Sequence, residues 1–405
     1  MKKTPYKVMA LSALLAVVTA SNIVPTHTVA AENTVQTIQV SNMKKNMTSY
    51  KDFEYQLGPE GLREAMATTG SNALVMDLYA LTLIKQQNAD FTNVDIIDEK
   101  LRAAITTHQN VGRSNATKWL DMLKPKLITT NQNIINYNTK FQNYYDTLLD
   151  AVDATDKATL KKGLSNLNTS ISIYKKDVDN LIAELISFRD RMATDTQNFK
   201  ADTSSLVSIL TSEDSGLPIL QQQIDAYNAA IAKDNAIIIG GSVALGLGAV
   251  GIIGGGILIG TGAGSGLGVT LVVGGVSAIA GGTTAIVLAK QNIDSSREGI
   301  RDLTLNLNDT KAQMVVVNNI KNQCIYLSDT IDLAIVALQN ISNQWHSMSA
   351  RYTTLIENVD SINPDEFAFI KEDLHVASDS WKDIKEYADK LYTDIKVVET
   401  DGPEL

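Results

Sequence analysis

The sequence predicts a mainly all-α fold: an elongated antiparallel helical bundle as tail, with a hydrophobic hairpin as head, either α-helical or a β-tongue. Two observations carry this. Three long segments repeat their apolar residues at alternating steps of three and four, the spacing of one face of a helix. Between the second and third of these, from Asp234 to Lys290, no residue is charged, and 17 of the chain's 25 glycines lie there.

At the amino terminus Lys2, Lys3 and Lys7 precede an apolar run over residues 8–20, followed by small residues at Val29, Ala30 and Ala31. The run is too short to span a bilayer, so residues 1–30 are expected to be a secretory signal peptide cut at Ala30. Residues 31–55 show little pattern and are expected to be a flexible lead. Losing the leader removes three lysines and no acid, moving the formal charge from -10 to -13. So acidic a chain excludes nucleic acid as a partner and excludes simple electrostatic adhesion to anionic lipid. Any membrane affinity must be hydrophobic. Cys324 is the single cysteine, so no intramolecular disulfide forms. It falls on an apolar seam, as a buried and inert thiol would.

The elements follow in order. Gly58-Pro59 opens a helix with Leu74, Leu78, Leu81 and Ile84 on its buried side. The first long run, over residues 115–152, places Leu120, Leu127, Ile134, Phe141 and Leu148 seven apart, with Leu123, Tyr137 and Tyr144 between them. Pro125 predicts a kink or restart. The second run, Leu160, Leu164, Leu167, Ile171, Tyr174, Val178, Leu181, Leu185, Phe188 and Met192, keeps the 4-3 spacing without a miss; Phe199, Leu206 and Leu210 extend it. The third, over residues 292–362, steps by sevens through Ile293, Ile300, Leu307 and Met314, then through Val317, Cys324, Ile331, Leu338, Trp345, Tyr352 and Val359. Ala334, Ile341, Met348, Leu355 and Ile362 flank it, and it is expected to be one helix. Asn363 as N-cap and Pro364 at the first helical position start a last helix, packed through Ala377, Trp381, Ile384, Ala388 and Leu391. Short connections at 153–157 and 212–217 favour chain reversal within one molecule over a dimeric coiled coil.

The uncharged window divides into two arms, 236–260 and 267–289, around a turn-like tip containing Gly262, Gly264, Ser265 and Gly266. Each arm has the ~20 residues that a helix needs to cross the hydrocarbon core. The expected membrane-inserting residues of the first arm are Ile237, Ile238, Ile239, Val243, Leu245, Leu247, Val250, Ile252, Ile253, Ile257, Leu258 and Ile259. Those of the second are Leu267, Val269, Leu271, Val272, Val273, Val276, Ile279, Ile286, Val287 and Leu288. Charged flanks at Lys233-Asp234 and Lys290 put both ends on one side of a bilayer. The glycine spacing suits close membrane helices, yet in water each glycine costs about 1 kcal/mol relative to alanine in a helix. The soluble conformation, β-hairpin or helical pair, therefore stays open. A hairpin buried in a soluble core is the alternative, against which the other segments offer only narrow seams as cover. A constitutive two-pass protein is another.

No catalytic, cofactor or metal residue emerges. His108, His346 and His375 lie far apart, and no nucleophile elbow or phosphate loop is present. The glycines at 262–268 lack the βαβ context of a dinucleotide loop. An enzyme is not expected.

Several stretches carry a family resemblance: LGPEGL at 57–62, NALVMDLY at 72–79, NIINYNTKFQNYYDTL at 133–148, LQNISNQW at 338–345 and SWKDIK at 380–385. Over essentially its whole length the chain resembles the tripartite pore-forming enterotoxins of the Bacillus cereus group, which share a cytolysin-A-like helical fold. The non-haemolytic enterotoxin branch is nearest, with haemolysin BL the near alternative. The resemblance implies a secreted component that binds host cell membrane lipid and acts with two sister toxin components in a hetero-oligomeric pore. It also implies a tail built from 56–233 and 293–400, and a membrane-inserting head at 234–292. From a different class, the same window would suit a helical scaffold anchored in the producing cell's own membrane.

Overall fold

A computed structural model describes residues 57–394 apart from 60, 93, 213–215, 246–250, 254–256, 261–267, 272–274, 278–283, 305, 306 and 308. The expected leader, its cut at Ala30 and the lead over 31–55 lie outside the described residues. The order is α1 (Leu62–Lys85), α2 (Glu99–Lys118), a π-turn (Trp119–Leu123), α3 (Lys124–Asp153), α4 (Lys157–Thr211), α5 (Leu217–Leu245), β1 (Gly251–Ile253), β2 (Ile257–Gly260), β3 (Gly268–Leu271), β4 (Gly275–Ser277), α6 (Thr284–Thr304), α7 (Asp309–Asn358) and α8 (Phe367–Asp394).

The bundle is built on α4 and α7, of 55 and 50 residues. At about 1.5 Å per residue these are rods of roughly 75–80 Å. They pack along their lengths, α3 covers α4, and α8 covers α3. The 3-4 seams meet as expected. On α4 every residue from Leu160 to Leu210 named above is buried except Tyr174, and on α7 the seam residues from Val317 to Tyr352 are buried throughout. Pairs along the seam fix the antiparallel register: Arg189 with Asp332, Ser342 donating to Asp179 at 2.5 Å, Asn168 donating to Thr353 at 2.9 Å. Between α3, α4, α7 and α8 the rings of Tyr137, Trp345, Trp381 and Tyr174 form one cluster. Trp345 stacks on Trp381 with centroids 6.1 Å apart, and Tyr137 lies 4.6 Å from Trp381.

At the α3–α4 reversal Thr155 takes a φ of 54° and Asp156 N–H reaches back to Ala151 O at 2.7 Å. That 6→1 bond satisfies a terminal carbonyl in the manner of a glycine C-cap. Asp156 then caps α4 by accepting from Thr159 N–H at 3.1 Å.

Four sequence expectations change. The run over 292–362 is two helices, parted between Thr304 and Asp309. Asn306, Asn308 and Asp309 stand at the break, and such side chains compete with a helix for backbone hydrogen bonds. The Pro125 restart is a π-turn: Lys124 N–H donates to Trp119 O, five residues back. The extra residue shifts the phase, so Trp119 is buried and Leu120 is only half-buried. Helix α1 has no single buried side. Residues 72–83 are buried on all faces, Ile84 only partly, because α2, α5, α7, α8 and β1 all pack against α1. The last helix begins with a 3-10 turn at Pro364–Glu366, and the Asn363 side chain makes no capping bond.

Candidate functional site: the hairpin and its two helices

The window forms one antiparallel hairpin. Its strands pair Gly251 with Ser277, Ile252 with Val276, and Ile253 with Gly275, then Ile257 with Leu271 through to Gly260 with Gly268. Every pairing is centred on position 264, inside the expected tip. The tip residues Gly262, Gly264, Ser265 and Gly266 themselves lie outside the described residues, as do Leu247, Val250, Leu267, Val272, Val273 and Ile279. Ile252 and Ile253 lie on β1; Ile257, Leu258 and Ile259 on β2; Val269 and Leu271 on β3; Val276 on β4. The remaining expected residues lie on helices: Ile237, Ile238, Ile239, Val243 and Leu245 on α5, and Ile286, Val287 and Leu288 on α6. Glycine-rich sequence favours extended pairing over a helix in water, so the choice left open by the sequence falls to strands between two helical stems.

The stems are held together by an apolar seam. Ile231 and Ile238 of α5 pack with Ala289, Ile293 and Ile300 of α6, all buried, with Tyr227 against them. Full burial of such side chains stabilises by about 1.5–3 kcal/mol each. The approach is close enough to require Gly299, where an added Cβ would sit 2.3 Å from Cζ of Tyr227. The charged flanks meet as well. Asp234 pairs with Asn292, and burial raises the Asp234 carboxyl above its ordinary range despite that bond. Both ends of the window therefore lie side by side.

One expectation is corrected here. The bundle does cover part of the first arm. Ile238, Ile239 and Val243 are buried, and Tyr387 of α8 donates to Val243 O at 3.4 Å. Helix α5 runs back along α7, and β1 and β2 lie against α1 and α7. Ile237 and Leu288 remain 38% and 53% exposed. Helix α7, too, contains a stretch long and apolar enough to cross a membrane, with mean hydropathy 1.3. Its apolar residues form the bundle seam.

The contact between α5 and α7 is of another kind, and sequence reasoning missed it. Gln221, Asp225, Asn228, Ala232 and Asn235 recur at steps of four and three along α5, a helical seam made of polar residues. Asp225 Oδ1 accepts from Asn318 at 2.6 Å and from Asn322 at 2.7 Å; Lys321 Nζ lies 3.3 Å from Asp225 Oδ2. Gln221 donates to Asn318 Oδ1 at 2.8 Å. Farther along, Asn228, Asn235, Gln323, Tyr79 and Tyr326 help line a cavity of about 10 Å³, room for one water. Neutral hydrogen bonds of this sort contribute only about 0.5–1.5 kcal/mol net, because water replaces them when they part.

A second missed site lies under the π-turn. Asp77, fully buried on α1, accepts from Trp119 Nε1 at 2.9 Å and pairs with Lys124 Nζ at 2.6 Å. Burial pushes its pKa up to about 6, against the pull of Lys124. The sequence signal was an acid inside the apolar run 73–83. Cys324 is fully buried as expected, and burial raises its thiol well above the ordinary range. His108 pairs with Asp202 at 2.7 Å, tying α2 to α4. Among the described residues no cluster of histidine, cysteine and acidic side chains has metal-ligand geometry.

Comparison with known proteins bears on this arrangement. Residues 56–234 match the model of the Bacillus haemolytic enterotoxin (HBL) family. The Bacillus cereus HblL1 toxin component is 34% identical and superposes with a TM-score of 0.75, covering 85% of this chain and 100% of that one. Soluble SmhA of the tripartite alpha-pore forming toxin Smh from Serratia marcescens, 18% identical, has the same fold with a TM-score of 0.71 over 85% of this chain and 98% of its own. AhlB of the tripartite toxin AHL from Aeromonas hydrophila gives 0.66 in its soluble form, at 21% identity over 84% and 95% of the two chains. In its pore form it gives 0.51, at 18% identity over 82% and 95%. The fold described above is thus nearer the soluble form.

Proposed function

We infer the function from two premises: the chain belongs to the Bacillus haemolytic enterotoxin (HBL) family, and its one uncharged segment is a hairpin with both ends on one side. It is a component of a pore-forming toxin. In the finer reading it is secreted after removal of residues 1–30 and binds host cell membrane lipid. It inserts 236–289 as a two-pass hairpin and assembles with two sister components into a hetero-oligomeric pore. Residues 56–233 and 293–400 then act as the tail, 234–292 as the head, and 31–55 as a flexible lead.

The hairpin register carries this reading. Strand pairs centred on position 264 leave two arms of bilayer length on either side of a small polar tip. A two-stranded hairpin has open edges, and lipid cannot satisfy their N–H and C=O groups. In a bilayer the arms must therefore refold, and as helices 236–260 and 267–289 satisfy their own backbone and span. Water favours the paired strands and lipid favours the helices, which is what a segment used in both solvents requires.

The test is dye release from susceptible cells by the mature protein together with its sister components. Release that depends on this component supports the reading; none, with all components present and folded, contradicts it.

A further inference from the structure

We propose that the polar seam between α5 and α7 is the surface along which this molecule opens. On this assignment the apolar seam between α5 and α6 stays closed, so the two stems and their hairpin leave the bundle as one unit. The proposal rests on the membrane-inserting reading above.

The cover over the first arm sets the requirement. Ile238, Ile239 and Val243 are buried, and the hairpin lies against α1 and α7. The arms cannot reach lipid while α5 remains there. Helix α5 carries two seams of opposite chemistry. Toward α6 it presents Tyr227, Ile231 and Ile238, packed on Ala289, Ile293 and Ile300. Toward α7 it presents Gln221 and Asp225, held by Asn318, Lys321 and Asn322. Parting the apolar seam exposes hydrocarbon to water with no compensation. Parting the polar seam exchanges each protein hydrogen bond for one to water, and releases Asp225 and Lys321 into the solvent that suits charge best. The polar seam is therefore the one that opens and recloses readily. Helix α6 strengthens the assignment: its substantial packing among the described elements is with α5 and β3, so α5 carries α6 with it.

The polar seam also serves specificity. Asp225 accepts from two asparagines on successive turns of α7, and a one-residue slip would leave it without them. A latch of this kind holds the soluble register while binding α5 loosely.

The experiment compares two reversible cross-links in the full mature chain. Asp225→Cys with Asn322→Cys joins α5 to α7; Asp234→Cys with Asn292→Cys joins α5 to α6. Each pair is bridged with a short bis-methanethiosulfonate linker, and Cys324, fully buried, stays in place. Dye release is measured with sister components before and after dithiothreitol. The α5–α7 bridge should lower release at least tenfold and dithiothreitol should restore it, whereas the α5–α6 bridge should leave release within about twofold. A second pair, Gln221→Cys with Asn318→Cys, should repeat the α5–α7 result. Full release by both bridged α5–α7 pairs, or loss of release with the α5–α6 bridge, overturns the assignment. The unmodified protein separates the two levels: if it releases no dye, the insertion reading itself fails; if it lyses and the α5–α7 bridges do not prevent it, only the seam is wrong.

Discussion

The rods α4 and α7 and the stems α5 and α6 use similar apolar residues, yet they place them differently. On α4 the large apolar residues keep to one 4-3 seam, and nearly all are buried by α7 and α3. On α5 the first half carries a polar seam beside an apolar one, and the second half, from residue 236, is uncharged on every face. A seam matched to the neighbours available commits a helix to the bundle. An apolar surface larger than the neighbours can cover leaves Ile237 and Leu288 in water, and so favours any solvent that covers it better. The difference lies in distribution rather than in hydrophobic content.

Four variants sharpen or break that comparison. Trp345→Ala removes a ring packed against Tyr137, Tyr174 and Trp381. It should lower bundle stability by about 3–5 kcal/mol, measured by urea unfolding. Ile252→Asp or Val276→Asp should barely move that midpoint, while each raises the cost of insertion by about 2.5–3.5 kcal/mol and cuts lysis. Equal effects of the tryptophan and hairpin variants on stability would erase the contrast between the regions.

Asp77 tests the rods from another side. Its folded pKa of about 6 lies above the ordinary 3.8, so the folded state holds the proton more tightly. The stability it contributes is fully present below about pH 4 and lost as pH rises through about 6, each tenfold difference in proton affinity being worth about 1.4 kcal/mol. Asp77→Asn should remove this part of the slope, read as the difference between the two unfolding profiles from pH 4 to 7. Identical slopes would mean that the buried pair does not titrate in this range. Gly299→Ala, which drives a methyl into Tyr227, should cost about 1–3 kcal/mol in the stems alone. Hydrogen exchange in α5 and α6, with α4 unchanged, would report it.

Much of the rods was legible because a helix seam is local: Leu160 to Met192 and Val317 to Tyr352 predict their own burial from spacing alone. The hairpin, its fold point near position 264 and its paired flanks were legible for the same reason, from the missing charges and the Gly/Ser tip. What escaped depended on neighbours. The π-turn moves Trp119 into the core by adding one residue. Helix α1 is encircled because five elements converge on it. The cover over Val243 comes from Tyr387, 144 positions away in the chain. The 4-3 spacing of Gln221, Asp225, Asn228 and Asn235 was visible, but a search for apolar periodicity passes over a seam of amides.

The uncharged hairpin, on this reading, enters the target membrane while the rods stay in water. The most direct measurement is an environment-sensitive fluorophore placed singly at Leu258→Cys on β2, and separately at Leu333→Cys on the exposed face of α7. Each labelled protein is added with its sister components to cells or liposomes containing quencher-labelled lipid tails. A blue shift and strong quenching are expected at 258, with neither at 333. A probe at 258 that stays in water during lysis would contradict insertion of the hairpin.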